Sequence, residues 1–212
     1  MPKTSPFDTH PDRYDDWFDR HEAAYQSELR AIRAVLPNTG DGLEVGVGTG
    51  RFAAPLGIEC GVDPSTEMRK RSRKREIDVK DGGAEKLPYP DARFNCVLMT
   101  TTLCYLKDPG AAFEEVRRVL RPGGAFVVGF IDRGGPLGCR YEKQKGESAF
   151  YAPARFHPAS EVARLFEAAG FEDLTARQTL FSDPETMTEP DPVEDGVGEG
   201  GFVVIRGVKP PN

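Results

Sequence analysis

Residues 43–50 read Leu-Glu-Val-Gly-Val-Gly-Thr-Gly, three glycines at every second position behind a single acidic residue, Glu44. Glycine accepts left-handed backbone and lets the main chain touch a ligand directly. At the carboxyl end of a parallel strand, a turn this bare is a place for a nucleotide. It carries no Walker lysine, so it is not a phosphate-cradling P-loop. The dinucleotide fingerprint G-x-G-x-x-G/A, counted from Gly46, needs a small residue at position 51, where this chain has Arg51. That substitution argues against a nicotinamide or flavin dinucleotide, because the third small residue permits close helix–strand packing beneath a pyrophosphate. A second acid, Asp63, ends the next apolar run in "GVDPS". A carboxylate can accept two hydrogen bonds from a diol such as a ribose. The alternative for Asp63, with Pro64 behind it, is a plain helix cap.

Seven short apolar runs can position these residues: "GLEVGV", "GIECGV", "EIDV", "NCVLMT", "AFVVGFI", "LTARQTLF" and "GFVVIRGVK". The first five alternate with helical or loop segments, the pattern of a parallel sheet covered by helices on both faces. Asp108 and Pro109 start a helix over "AAFEEVRRVL", "RPGG" at 121–124 supplies a turn, and Gly170 stops a helix over "SEVARLFEAAGF". Ahead of the sheet, residues 13–37 place Tyr14, Trp17, Phe18, Tyr25, Leu29, Ile32 and Leu36 on one helical face, with Pro37, Asn38 and Gly40 ending the helix. Its aromatic stripe reads either as a face packed on the core or as a lid over a ligand. Residues 182–200, acidic, Pro-rich and without Lys or Arg, are too long for a tight hairpin and read as a functional flap or a solvated linker.

With 212 residues, a 38% hydrophobic and 29% charged composition and a net charge of −6, the chain is expected to form one domain. Its parts are a helical cap over 1–40, a cofactor-binding core over 41–131 and a C-terminal part over 132–212. No apolar run approaches the roughly 18 residues of a membrane span, and the first residues lack a secretory pattern, so a cytoplasmic location without membrane insertion is the expectation. Four scattered cysteines and three histidines suggest neither a disulfide framework nor a metal site. The acidic balance makes nucleic acid an improbable partner. The basic run "MRKRSRKRE" at 68–76 follows a helix start and reads as a solvated outer face.

"EVGVGTG" resembles the first motif of class I S-adenosylmethionine-dependent methyltransferases, acid-x-G-x-G-x-G. "GGAEKLPYPDARFNCVLM" and "LRPGGAFVV" resemble the motifs that follow in the same order, and the branch with the ubiquinone and menaquinone biosynthesis enzymes is the most similar. The resemblance implies a Rossmann-like α/β fold with a doubly wound, seven-stranded, mostly parallel sheet whose last strand is antiparallel. It also implies S-adenosyl-L-methionine as cofactor. Carried over by position, Glu44, Gly46, Gly48 and Gly50 surround the methionine portion and Asp63 the ribose. Pro64, Ser65 and Met68 flank ribose or adenine, and Gly83, Ala84 and Glu85 border the adenine edge, with Gly83 standing where the family often has an aspartate. Thr100 and Leu103 meet the amino acid end. Met68 and Leu103 also read as ordinary core residues.

A sulfonium methyl is already activated, so the reaction needs a nucleophile held in line rather than a metal or a covalent intermediate. A small-molecule acceptor is expected, since the fourth strand ends in "TTTLCY" and lacks the Asn/Asp-Pro-Pro-aromatic signature of amide and exocyclic-amine nitrogen methylation. Weak candidates for a proton acceptor are His21, Asp132 and Tyr141. The competing readings are a nicotinamide-dependent oxidoreductase, a non-catalytic cofactor-binding regulator and an RNA-directed methyltransferase. The oligomeric state has no signature in the sequence.

Overall fold

A computed structural model of the chain describes residues 5–37 and 40–211. Five parallel strands, β1 (Gly42–Val45), β2 (Cys60–Asp63), β3 (Asp78–Asp81), β4 (Phe94–Thr100) and β5 (Leu120–Ile131), are continued by β6 (Glu172–Thr179), β7 (Glu194–Asp195) and β8 (Phe202–Val208). They form one sheet in the order β3-β2-β1-β4-β5-β8-β6-β7. β8 runs antiparallel between β5 and β6. The expected α/β sheet is present, with eight strands instead of seven. The extra strand is the two-residue β7, contributed by the acidic segment and paired with Arg177 and Gln178.

Side chains alternate across the pleat and divide the core in two. Val97, Met99, Phe126 and Val128 pack on one face against Phe113 and Val116 of α5 (Pro109–Val119) and Phe166 of α7 (Ala159–Ala168). Leu98, Val127 and Val204 pack on the other against Tyr25, Leu29 and Ile32 of α3 (Glu22–Arg33). Each fully buried Phe or Leu stabilises the fold by roughly 1.5–3 kcal/mol. β5 begins at Leu120 and runs through the "RPGG" segment expected to be a turn; the irregularity there is a register shift with β4 between Phe94 and Cys96, with Gly123 at φ 76°.

The N-terminal segment departs from the single predicted helix. α1 (Ser5–Thr9) precedes it, and His21 (φ −118°, ψ 46°) divides the rest into α2 (Pro11–Arg20) and α3. At the break, His21 Nδ1 lies 2.8 Å from the Trp17 carbonyl that its own backbone N–H also engages. α3 stops at Arg33, ahead of the predicted stop residues; of these, Asn38 lies outside the described residues.

The basic run also departs from expectation. α4 (Thr66–Lys74) lies against the cap: Arg71 pairs with Asp12 at 2.7 Å, and Arg75 donates to the Thr49 carbonyl at 2.8 Å and approaches Asp15 at 3.5 Å. Arg69 bonds the Asp63 carbonyl and the Asp81 carboxylate, and Arg73 the Val79 carbonyl. Asp15 on α2 is the hub, accepting from Thr49 Oγ1 at 2.7 Å and Arg51 Nε at 2.9 Å, while Asp19 takes Arg51 at 2.8 Å. Tyr25 donates to the Arg51 carbonyl. Arg51, which breaks the dinucleotide pattern, thus fastens the cap to the glycine turn.

Asp15→Ala leaves those donors short of an acceptor in a partly buried place. It is expected to lower stability by about 1–3 kcal/mol and to speed hydrogen exchange of α2 amides while β4 and β5 amides stay protected. Unchanged exchange in α2 would contradict the clamp.

Candidate active site

The strand order reverses between β1 and β4, and the crevice outside their carboxyl ends is the ligand position of such sheets. Here it opens into a cavity of about 770 Å³. Among the sequence-predicted residues, Gly46, Gly48, Asp63, Pro64, Ser65, Met68, Gly83, Ala84, Glu85, Thr100, Leu103, His21 and Tyr141 line it. Glu44, Gly50 and Asp132 do not.

β1 ends at Val45, and the chain turns under hydrogen bonds from the Gly46 and Val47 amides to the Val62 carbonyl. Gly46 has φ 72°, and a Cβ there would meet Thr102 Oγ1 at 2.2 Å. Glycine is therefore required twice over, by backbone and by space. Gly50 has φ 85° and would drive a Cβ to 2.4 Å from Ile77 Cδ1. It serves the packing of the turn on α4 and β3, which is why it stands away from the cavity.

Asp63, 7% exposed, accepts the Gly48 amide at 2.9 Å and the Ser65 amide at 2.8 Å, one on each oxygen. Each oxygen keeps a second lone pair for a ligand hydroxyl. Burial pushes its pKa up to about 6, against the Ser65 and Gly48 amides. The carboxyl is thus mostly ionised at neutral pH. The cap on α4 is instead made by Ser65, whose Oγ accepts the Met68 amide and donates to Asp8 of α1. Met68 and Leu103 are each 1% exposed and supply apolar wall.

Glu44 lies behind the turn, 1% exposed. Its Oε2 and, on the adjacent strand, Thr100 Oγ1 make no hydrogen bond of good geometry among the described residues, although the Thr100 hydroxyl is close enough to favour the Glu44 carboxylate. Burial lifts the Glu44 carboxyl well above the usual range, opposed by the Ala53 amide and the Thr100 hydroxyl and reinforced by Asp63. Such orphans are costly unless a ligand or solvent satisfies them. Thr101 follows with φ 50°, a strained value for a β-branched residue, at the bend that opens the cavity.

The aromatic stripe of the N-terminal helices does both things predicted for it. Phe18 and Tyr25 pack in the core, while Tyr14, Trp17 and Phe18 also line the cavity. Phe7 on α1 makes edge contacts to Tyr14 (5.8 Å between centroids) and Tyr105 (5.1 Å). Burial, then Glu44, Asp63, Asp15 and Glu28, hold the Tyr14 phenol above its ordinary pKa, so it is a donor and not a base.

The acidic segment is an ordered flap. Asp183 binds both Arg140 guanidinium nitrogens at 2.6 and 2.8 Å, the Asp191 amide donates to Ser27, and Pro184 and Glu185 line the cavity.

The three weak base candidates fare differently. Asp132, 2% exposed, accepts the Gly134 and Ala159 amides at 2.8 and 3.0 Å, joining the end of β5 to the start of α7. His21 places Nδ1 2.8 Å from the Trp17 carbonyl and Nε2 3.1 Å from Glu185. Both ring nitrogens therefore already have partners within the protein. Tyr141, on α6 (Pro136–Gln144), stacks on Tyr151 at 4.8 Å, and burial raises its phenol pKa.

Sequence reasoning missed Glu28. It sits in α3 three residues after Tyr25 and four before Ile32, on the apolar stripe; it is 4% exposed and lines the cavity. A charged residue at helical spacing within an apolar stripe was the available signal.

A methyltransferase domain family matches residues 43–128. A solved structure from Thermotoga maritima, described as a SAM-dependent methyltransferase and possible histamine N-methyltransferase, is 47% identical with a TM-score of 0.95, covering 97% of this chain and 99% of that one. An uncharacterised protein of Methanocaldococcus jannaschii is 43% identical over 203 residues, 96% of this chain and 98% of its own length. A demethylmenaquinone methyltransferase of Roseiflexus sp. is 31% identical, across 71% of this chain and 76% of that enzyme. The glycine turn, the sheet order and these relatives agree: the chain belongs to the class I S-adenosylmethionine-dependent methyltransferase family.

Proposed function

We propose that this protein transfers the methyl group of S-adenosylmethionine to a small organic acceptor held under the N-terminal cap and the acidic flap. The observation that carries this reading is the crevice at the ends of β1, β2 and β4. There a buried carboxylate with spare lone pairs, Asp63, adjoins glycine backbone at Gly46 and Gly48 and the end of β4 at Thr100.

Bound there, the cofactor supplies a sulfonium-activated methyl group. The chain's own residues fit it. Asp63 accepts from the ribose hydroxyls. Pro64, Ser65 and Met68, with backbone at Gly83, Ala84 and Glu85, border the adenine and ribose, and Leu103 stands with Thr100 at the amino acid end. Gly46 and Gly48 let the main chain approach the methionine portion. Gly83 offers no side chain to the adenine amine, so main-chain groups must serve. The cap and flap exclude water and hold the acceptor, and such positioning can supply several kcal/mol of the barrier reduction. The cavity is bounded by Tyr14, Trp17, Phe150 and Tyr151, dimensions and chemistry suited to a small, partly apolar molecule.

Calorimetric titration with S-adenosylhomocysteine tests the reading, and absence of binding would reject it. Asp63→Ala is expected to weaken that binding by roughly 1.5–3 kcal/mol, about 10- to 150-fold. In the wild type the affinity should fall as pH drops through about 6, where Asp63 takes up a proton and gives up acceptor capacity. An unchanged dissociation constant in Asp63→Ala would refute the ribose assignment.

A further inference from the structure

Glu28 is used by nothing in the fold. It makes no hydrogen bond or ion pair among the described residues, yet it is 4% exposed and faces the cavity. The groups that feel its charge are the phenols of Tyr14 on α2, Tyr141 on α6 and Tyr151 beyond it. Burial holds all three phenols above their ordinary pKa, so they stay neutral. Arg13 and Arg20, the latter donating to the Asp16 carbonyl, also line the cavity, and other charged groups near it are paired. Arg140 spends both guanidinium nitrogens on Asp183, and His21 and Glu185 face each other.

An acid in such a place works against the stability of the empty protein. Burial without a partner pushes Glu28 up to about 8, and an apolar residue would suit this face of α3 better. Protonation relieves that cost in the empty protein, and a cationic ligand would supply the partner that the fold does not. Resting on the methyl-transfer reading above, we propose that Glu28 is the acceptor-binding and proton-accepting group of the cavity, and that the acceptor is a small amine with an aromatic or otherwise apolar body. A cation with an apolar body meets there both a desolvated carboxylate and a wall that includes the aromatic side chains Trp17, Tyr141 and Tyr151.

An ammonium has no lone pair to attack with. The Glu28 carboxylate takes one proton from it and leaves a neutral amine. The nitrogen lone pair then forms the N–C bond as the C–S bond breaks, and that bond's electron pair stays on sulfur. The positive charge of the sulfonium ends on the methylated nitrogen, and the proton on Glu28 leaves to solvent as product departs. Glu28 is thus neutral when the new ammonium forms, and the next cycle begins when it ionises again.

The test uses the whole protein saturated with S-adenosylhomocysteine at about pH 8.5 and titrates phenethylamine, 2-phenylethanol and 3-phenylpropionate. The amine is expected to bind at least about tenfold tighter than the alcohol or the acid. Glu28→Gln should abolish that preference while S-adenosylhomocysteine affinity stays within about twofold, and Glu28→Asp should keep part of it. Equal binding of the three probes, or a preference that survives in Glu28→Gln, would overturn the proposal and leave the cofactor reading intact. Failure of S-adenosylhomocysteine to bind the wild type would overturn both.

Thermal melting supplies a readout independent of ligand. The native state holds the Glu28 proton more tightly than the unfolded chain, so the wild type loses stability as pH rises from about 4.5 through about 8. Glu28→Gln does not titrate, so its melting temperature should exceed the wild type's at about pH 9 and lie near it at about pH 5. A variant melting below the wild type at both values would mark Glu28 as structural and overturn the proposal.

Discussion

The whole site depends on one buried carboxylate that must hold two backbone amides and still have room for a ligand. Asp63 ties the turn after β1, through Gly48, to the start of α4, through Ser65. Two adjacent parallel strands thereby end in a single rigid lip. Neither amide would otherwise find an acceptor there, and an unsatisfied buried N–H costs about 1–3 kcal/mol. Rigidity of the lip follows from the same bonds that leave Asp63 its spare lone pairs. The bare backbone at Gly46 is the other half of the constraint, since any side chain there collides with Thr102.

Around that lip the protein builds an electrostatic clamp. Acidic residues of α2 (Asp12, Asp15, Asp19) face basic residues of the turn and α4 (Arg51, Arg71, Arg75). The same contacts that roof the crevice consume the charge that would otherwise make α4 a basic patch. This leaves the N-terminal helices in two roles at once, with Leu29 and Ile32 buried against the sheet and Tyr14, Trp17 and Glu28 turned to the cavity. The acidic flap completes the enclosure through Asp183 and Arg140. Charge complementarity within the chain joins apolar burial in setting where the cap and flap sit.

Much of this was legible in the sequence because local patterns carry it. The glycines at 46, 48 and 50, Asp63 at the end of the second strand, and the alternation of apolar runs each follow from short-range backbone needs. What escaped depends on contacts between segments distant in the chain. The basic run reads as solvated until Asp12 and Asp15 are known to oppose it. One long helix is predicted until the Trp17 carbonyl is seen to engage His21. Gly50 looks like a ligand contact because its φ requirement is the same as that of its neighbours; only Ile77 shows that its purpose is packing. Glu28 was passed over among the many acids of an acidic chain, although its place on the apolar stripe of α3 marked it.

The central claim is a matter of placement, and a crystal structure of the protein with S-adenosylhomocysteine bound measures it directly. The account predicts the ribose hydroxyls on Asp63, the methionine portion along Gly46 and Gly48, and the sulfur facing the chamber that holds Glu28 and Tyr141. A ligand seated elsewhere, or in this crevice with its sulfur turned away from that chamber, would contradict it.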